Sequence, residues 1–174
     1  DFKGLYYLPR IIKAYKIGDA SILKELVKIL AEQRIKVISS ITFNPELTLV
    51  KGSYTNLKPN KNDLTFITKG IKSLADVNAF NHVQALVIRN SKIIAKETSR
   101  GTKRMLQLIK KTKNSKGILI KYPKKKQDLR VDLPTIGFDT FKDCKKAGIK
   151  GIVLKSKQNI FLDKEKSIHF ANKN

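Results

Sequence analysis

Short β-rich runs alternating with segments of helical period constrain this chain more than any other feature. Residues 82–89, 92–96, 117–121, 149–155 and 159–162 are β-rich, and helical spacing returns between them at 101–113 and 138–147. Alternation of this kind predicts an α/β fold, a mixed sheet flanked by helices in a single compact domain. Asn90 and Ser91 are a turn-compatible pair, so the first two runs read as a hairpin, and Gly148 ends the 138–147 helix. Met105, Leu108 and Ile109 are expected to face inward from 101–113, and a short helix follows Asp163. In the first half, 8–15 reads as a short helix with Pro9 in its first turn. Asp19 is the expected N-cap of a longer helix whose apolar stripe is Ile22, Leu23, Leu26, Val27, Ile29 and Leu30. Ile35, Val37 and Ile41 suggest a strand, and 43–61 is a loop containing Pro45, Gly52 and Pro59. Helical spacing resumes over 63–77 through Leu64, Ile67, Ile71 and Leu74. No internal repeat or flexible linker interrupts the 174 residues.

Charge narrows the partners. Lys and Arg number 37 against 14 Asp and Glu, a formal net charge of +23, which favours anionic partners. Only six of the basic residues are Arg, whose planar fork is what specific base readout uses, and there is no Trp. The Phe and Tyr residues are scattered, so no stacking platform is expected and no specific nucleic-acid partner follows. Most of the excess is Lys expected on solvated faces. The single Cys144 excludes an internal disulfide framework or a cysteine-rich zinc site and fits a reducing compartment. No apolar run reaches the roughly 18 residues of a spanning helix. The chain begins at Asp1 without a signal-peptide pattern, and a fragment is expected.

The chemistry concentrates in KYPKKKQDLRVDLPTIGFDT, residues 121–140. Asp128, Arg130 and Asp132 alternate with Leu129 and Val131 and would share one face of an extended chain. Straight strand would separate the two acids by about 13 Å, too far to ligate one ion. A helix would bring them to about 6 Å, but the β-rich run into Pro134 argues against one. Either the loop curves or the acids have separate roles; the second is favoured, one carboxylate holding a metal and the other orienting or deprotonating a water. The plainer alternative pairs both acids with Arg130 and nearby Lys at the surface. Thr135-Ile136-Gly137 and Gly101-Thr102 stand at helix starts, where free N–H groups suit phosphate or simply cap the helix. His82 and His169 lack metal-ligand spacing, Cys144 reads as a core thiol, and Lys124, Lys125 and Lys126 form a charge run beside the acids.

GILIKYPKKKQDLRVDLPTIGFDT, followed by AGIKGIVL and NIFLDKE, resembles the C-terminal domain of the LpxI-type UDP-2,3-diacylglucosamine pyrophosphatases. The similarity extends upstream through LPRIIKAYKIGDASILKELVKILAEQRIKVI, the Gln84 hairpin and GTKRML. It implies that residues 1–174 are the catalytic domain, with 1–18 leading from an N-terminal Rossmann-like domain outside this sequence. If such a half covers the first residues, Leu5, Tyr6, Leu8 and Ile11 form an apolar patch exposed in its absence. The implied reaction is hydrolysis of the diphosphate of UDP-2,3-diacylglucosamine to UMP and 2,3-diacylglucosamine 1-phosphate, a step of lipid A synthesis in Gram-negative bacteria. It uses a divalent ion, usually Mg²⁺. The implied setting is cytoplasmic and peripheral to the inner membrane, with a homodimer as a further expectation. By position in the matching block, Asp128 and Asp132 are the catalytic or metal candidates. Arg130, Lys121 and Thr135 would contact phosphate, and Gln84, Gly101 and Thr102 are pocket candidates. Family members usually read E-G-T-D where this chain has Arg100-Gly101-Thr102-Lys103, leaving Glu97 as the upstream acid. A non-catalytic basic protein binding nucleic acid or anionic lipid is the rival reading.

Overall fold

Two amphipathic segments open the chain as a helical hairpin, α1 (Phe2–Ile17) and α2 (Asp19–Glu32). The computed structural model describes residues 2–77, 83–113, 116–125 and 127–174. Arg10 clamps the hairpin by donating to Glu25 at 2.7 Å and, through both terminal nitrogens, to Glu32 at 2.7 and 2.9 Å. α1 is twice the expected length and carries Pro9 in its interior. A proline there removes one N–H donor, and the turns on either side are held by packing on α2 and by the Arg10 clamp. Asp19 is not the N-cap: Gly18, at φ 131°, takes that place and its carbonyl accepts from Ser21 and Ile22. Leu5, Tyr6 and Leu8 are exposed as expected of an uncovered face, whereas Ile11 is half-buried and Ile12 is exposed.

The strand expected through Ile35, Val37 and Ile41 does not form. Those residues run as irregular chain into a 3₁₀ turn at Ser40–Thr42, and Ile35 and Ile38 stay exposed. Alternation produces a strand only where a sheet edge accepts it, and no edge is paired with this segment. The loop that follows is pinned at Leu49, whose N–H donates to the buried Asn159 at 3.2 Å and whose carbonyl accepts from Lys157 at 2.8 Å. Asn60 and Asp63 then cap α3 (Lys61–Val77) reciprocally, each side chain accepting the other's backbone N–H.

The sheet has the order β2-β1-β3-β5. β1 (Ala85–Arg89) and β2 (Lys92–Lys96) form the expected hairpin, with Asn90 at φ 47° and Ser91 at φ 63°, the left-handed pair of a type I′ turn. β3 (Gly117–Lys121) runs antiparallel to β1 and parallel to β5 (Ile149–Leu154), so the sheet is mixed. Helices cover both faces. On one, Leu74 of α3 packs with Leu86, Ile88, Ile118 and Ile120. There α3 approaches β3 so closely that a Cβ at Gly70 would run into Ile120. On the other face, α4 (Gly101–Gln107) and α5 (Phe138–Ala147) bury Met105, Leu106, Cys144 and Ala147 against Ala85, Val87 and Leu119. α4 is shorter than expected. Leu108 and Ile109 donate three residues back, to Met105 and Leu106, so the last turn tightens and ends. Leu106 takes the inward position expected of Leu108, which is 65% exposed. Gly148, at φ 70°, stops α5 as expected. A second, two-stranded parallel sheet joins β4 (Thr135–Ile136) to β6 (Ile160–Phe161), and α6 (Lys164–Lys173) closes the chain.

Candidate active site

In open α/β sheets, ligands gather beyond the carboxyl ends of parallel strands. β3 and β5 end together here, with Lys121 opposite Leu154. Register places the start of β1 and the end of β2 at the same margin, since Ala85 pairs with Lys121 and Leu86 with Lys96. Gln84 immediately precedes β1, Glu97 follows β2, Thr102 lies in the first turn of α4, and Lys121 closes β3. Four segments distant in sequence thus meet at one sheet margin.

These four residues form one network. The Thr102 hydroxyl donates to Glu97 Oε1 at 2.6 Å and accepts from Lys121 Nζ at 2.9 Å. The Gln84 backbone N–H donates to Glu97 Oε2 at 3.0 Å. Glu97, Thr102 and Lys121 are all buried. The hydroxyl's one proton is committed to the carboxylate, so its lone pair is left for the ammonium. Burial pushes the Lys121 pKa down; Glu97 opposes that shift and Lys124 adds to it. Gln84 Oε1 is buried without a hydrogen-bond partner among the described residues. Gly101, at φ 79°, makes the turn that delivers Thr102, and its N–H donates to the Thr98 carbonyl at 3.0 Å.

The loop after β3 is curled rather than extended. Val131 and Asp132 donate their N–H groups to the Asp128 carbonyl at 3.1 and 2.9 Å, closing a helical turn through a run whose alternation predicts strand. Local pairing favours the turn: Arg130 donates Nε and Nη2 to the two Asp128 oxygens at 2.9 and 2.6 Å, and its N–H to Oδ1 at 3.1 Å. Asp128 therefore follows the plainer alternative, a carboxylate engaged by Arg130. The guanidinium holds its pKa below the usual carboxylate range. Asp132 is half-buried, and its carboxylate has no hydrogen bond or ion pair among the described residues.

The structure brings Lys121, Gln84, Gly101 and Thr102 together, holds Asp128 with Arg130, and leaves Thr135 apart. The Thr135 hydroxyl is exposed and donates to the Leu133 carbonyl at 3.1 Å. At the start of α5, the Gly137 N–H donates to Thr140 Oγ1 at 3.4 Å, which is ordinary capping. Among the described residues no three His, Cys, Asp or Glu side chains converge as a metal cage. His169 is exposed on α6, while His82 and Lys126 lie outside the described residues. Cys144 is a buried core thiol whose pKa is pushed up to about 12, by desolvation first and by Asp143 second.

Two residues join the site that sequence reasoning did not assign to it. Glu97 anchors the network, and its only signal was that it is the acid left upstream of Arg100-Gly101-Thr102-Lys103. Gln127 is buried, and its Oε1 accepts the Lys124 N–H at 2.8 Å, fixing the start of the acid-bearing turn.

Comparison with known proteins shows the family. Over 99% of its length the chain aligns, at 27% identity across 180 residues, with the UDP-2,3-diacylglucosamine pyrophosphatase LpxI of Caulobacter vibrioides. It spans 64% of that protein, less than two thirds. Residues 50–174 match the family described as the LpxI C-terminal domain; this stretch holds the sheet, the Glu97–Thr102–Lys121 network and the Asp128 turn, and the chain belongs to that family.

Proposed function

We propose that this chain is the phosphate-handling part of a hydrolase that cleaves the diphosphate of UDP-2,3-diacylglucosamine, releasing UMP and 2,3-diacylglucosamine 1-phosphate. The observation that carries the reading is the buried Glu97–Thr102–Lys121 network at the carboxyl margin of the sheet, in a member of the LpxI C-terminal domain family. Lys121 supplies a fixed ammonium for a phosphoryl oxygen; Thr102 and Glu97 hold it in place. Arg130, braced by Asp128, offers a second cation with an exposed guanidinium for a phosphate oxygen. Asp132, whose carboxylate has no partner among the described residues, orients the attacking water and takes its proton. The water oxygen then bonds to one phosphorus, the bond from that phosphorus to the bridging oxygen breaks, and the bridging oxygen leaves on the other phosphate.

A divalent cation enters this reading with the substrate. The donors here do not fit a resident ion caged by protein, because Asp128 is engaged by Arg130 and Glu97 by Gln84 and Thr102. Mg²⁺ commonly rides on substrate phosphates. The setting proposed is the cytoplasmic side of the inner membrane, where an acylated nucleotide sugar resides. No helix among the described residues is long and apolar enough to cross a membrane.

The test is UMP release from UDP-2,3-diacylglucosamine presented in detergent micelles with Mg²⁺. Asp132→Asn is expected to reduce turnover on the order of a hundredfold or more at unchanged thermal stability. Turnover that survives this substitution removes Asp132 from the chemistry. One observation favours a second reading, a basic binding protein without catalysis: Arg100 and Lys103, both exposed, stand where E-G-T-D members carry acids. That reading requires no UMP release from the wild-type chain.

A further inference from the structure

Between β2 and α4 runs a surface groove of about 670 Å³. Its floor is apolar, formed by Ala95, Met105 and Ile109 from the core cluster of that face. Its rim is cationic: Lys96, Arg100, Arg104 and Lys110 line it, all exposed, and among the described residues no Asp or Glu lines it. None of these four cations is in an ion pair among the described residues. Two apolar side chains among the lining residues remain exposed, Leu108 at 65% and Ile94 at 40%. Ile94 has a backbone reason to be there. Val87 pairs with Ala95 and Ile88 with Ile93, so Ile94 faces no residue of β1 and forms a β-bulge on the outermost strand.

We propose that this groove docks the chain onto an anionic phospholipid bilayer, with Leu108 and Ile94 entering the headgroup region and the four cations neutralising lipid phosphates around them. Exposed apolar residues ringed by unpaired Lys and Arg are the chemistry of reversible membrane association, in which neither component suffices alone. Single-stranded nucleic acid would find no aromatic side chain to stack on among the described residues that line the groove. A second copy meeting it through the same face would set four cations against four. Strand addition along β2 is opposed by Lys92 and Lys96, exposed on that edge. Lys96 and Arg100 flank Glu97 and Thr102 in sequence, so docking here would bring the catalytic margin toward the surface that holds an acylated substrate. The surface itself does not depend on the hydrolase reading.

Co-sedimentation of the full chain with phosphatidylcholine vesicles, with and without phosphatidylglycerol, tests the proposal. Binding should require phosphatidylglycerol and weaken with salt. The pair R104E/K110E should lower the partition coefficient about twentyfold or more, from roughly fivefold per cation. Leu108→Glu should lower it further than its charge alone does, and the neutral Leu108→Gln should lower it on the order of tenfold, which a purely electrostatic attraction to the rim would not predict. The pair K166E/K173E, on α6, makes the same charge change away from the groove and should alter binding by less than about twofold. Urea midpoints of all variants should match wild type, and UMP release in micelles should be unchanged, which separates failure here from failure of the hydrolase reading. Equal losses from both double variants would show that net charge alone drives binding and would overturn the site. Vesicle binding untouched by R104E/K110E, with oligoribonucleotide binding lost, would reassign the groove to nucleic acid. A dimer that Leu108→Glu dissociates would reassign it to a second copy.

Discussion

Two carboxylate–cation arrangements, one at the sheet margin and one in the loop after β3, are built from the same chemistry in opposite ways. Asp128 and Arg130 are two residues apart and meet directly, at 2.6 Å, with the guanidinium half in water. Glu97 and Lys121 are 24 residues apart in sequence, both buried, and joined only through the Thr102 hydroxyl. The first needs nothing but a local turn, and solvent screening leaves such a pair a small net energy. The second needs three strands and a helix to be in register before its groups meet, and each group has lost its water. Desolvation makes that network intolerant of losing any member, and it pushes the Lys121 pKa down, whereas in the surface pair it is the partner's hydrogen bond that lowers Asp128.

The contrast breaks most visibly at Glu97. Glu97→Ala should destabilise the fold by about 3 kcal/mol, because the Thr102 hydroxyl and the Gln84 N–H lose their acceptor and the buried Lys121 ammonium loses its nearby counter-charge. A loss in urea denaturation under about 1 kcal/mol would place Glu97 with the surface pair instead. Thr102→Val should cost about 2 kcal/mol by leaving Glu97 and Lys121 without the bridging hydroxyl, whereas Thr102→Ser should restore both stability and turnover. Lys121→Met gives a signature in pH. The folded pKa of Lys121 lies below its unfolded value, so the unfolded chain holds the proton more tightly between the two. Stability of the wild type should therefore rise relative to Lys121→Met as pH climbs from neutral toward the ordinary lysine range. A difference in urea midpoints that stays flat between those pH values would contradict the burial argument. The smallest effect is expected at the surface. Asp128→Asn should change stability by about 0.5 kcal/mol, and less in high salt. The Asp128 pKa is depressed, so that small contribution is present above the ordinary carboxylate range and fades as pH falls through the folded value.

Much of this was readable residue by residue. The stripe of α3, the Asn90-Ser91 turn, the stop at Gly148 and the run of β3 depend on neighbours within a few positions, and local preference decides them. Thr102, Lys121 and Gln84 were singled out through the resemblance, while their hydrogen bonding to Glu97 was not foreseen. The misreadings share one cause. The alternation at 35–41 predicts strand, and the favoured reading of the 128–132 loop keeps its two acids apart on an extended run, yet an extended segment needs a paired edge, and neither found one. Residues 128–132 curled instead around the Asp128–Arg130 pair. In α4, Met105, Leu108 and Ile109 fit the period equally well, and only contact with β1 and α5 selected Leu106 over Leu108.

The sequence alone carried the α/β class, the hairpin, the basic character and the LpxI C-terminal domain resemblance, because each follows from local order or from a long matching block. The Glu97–Thr102–Lys121 network and the bulge that exposes Ile94 came from strand register instead. Register is set by how two faces of the sheet bury their side chains at once, a condition on residues far apart in the chain that no local pattern can express.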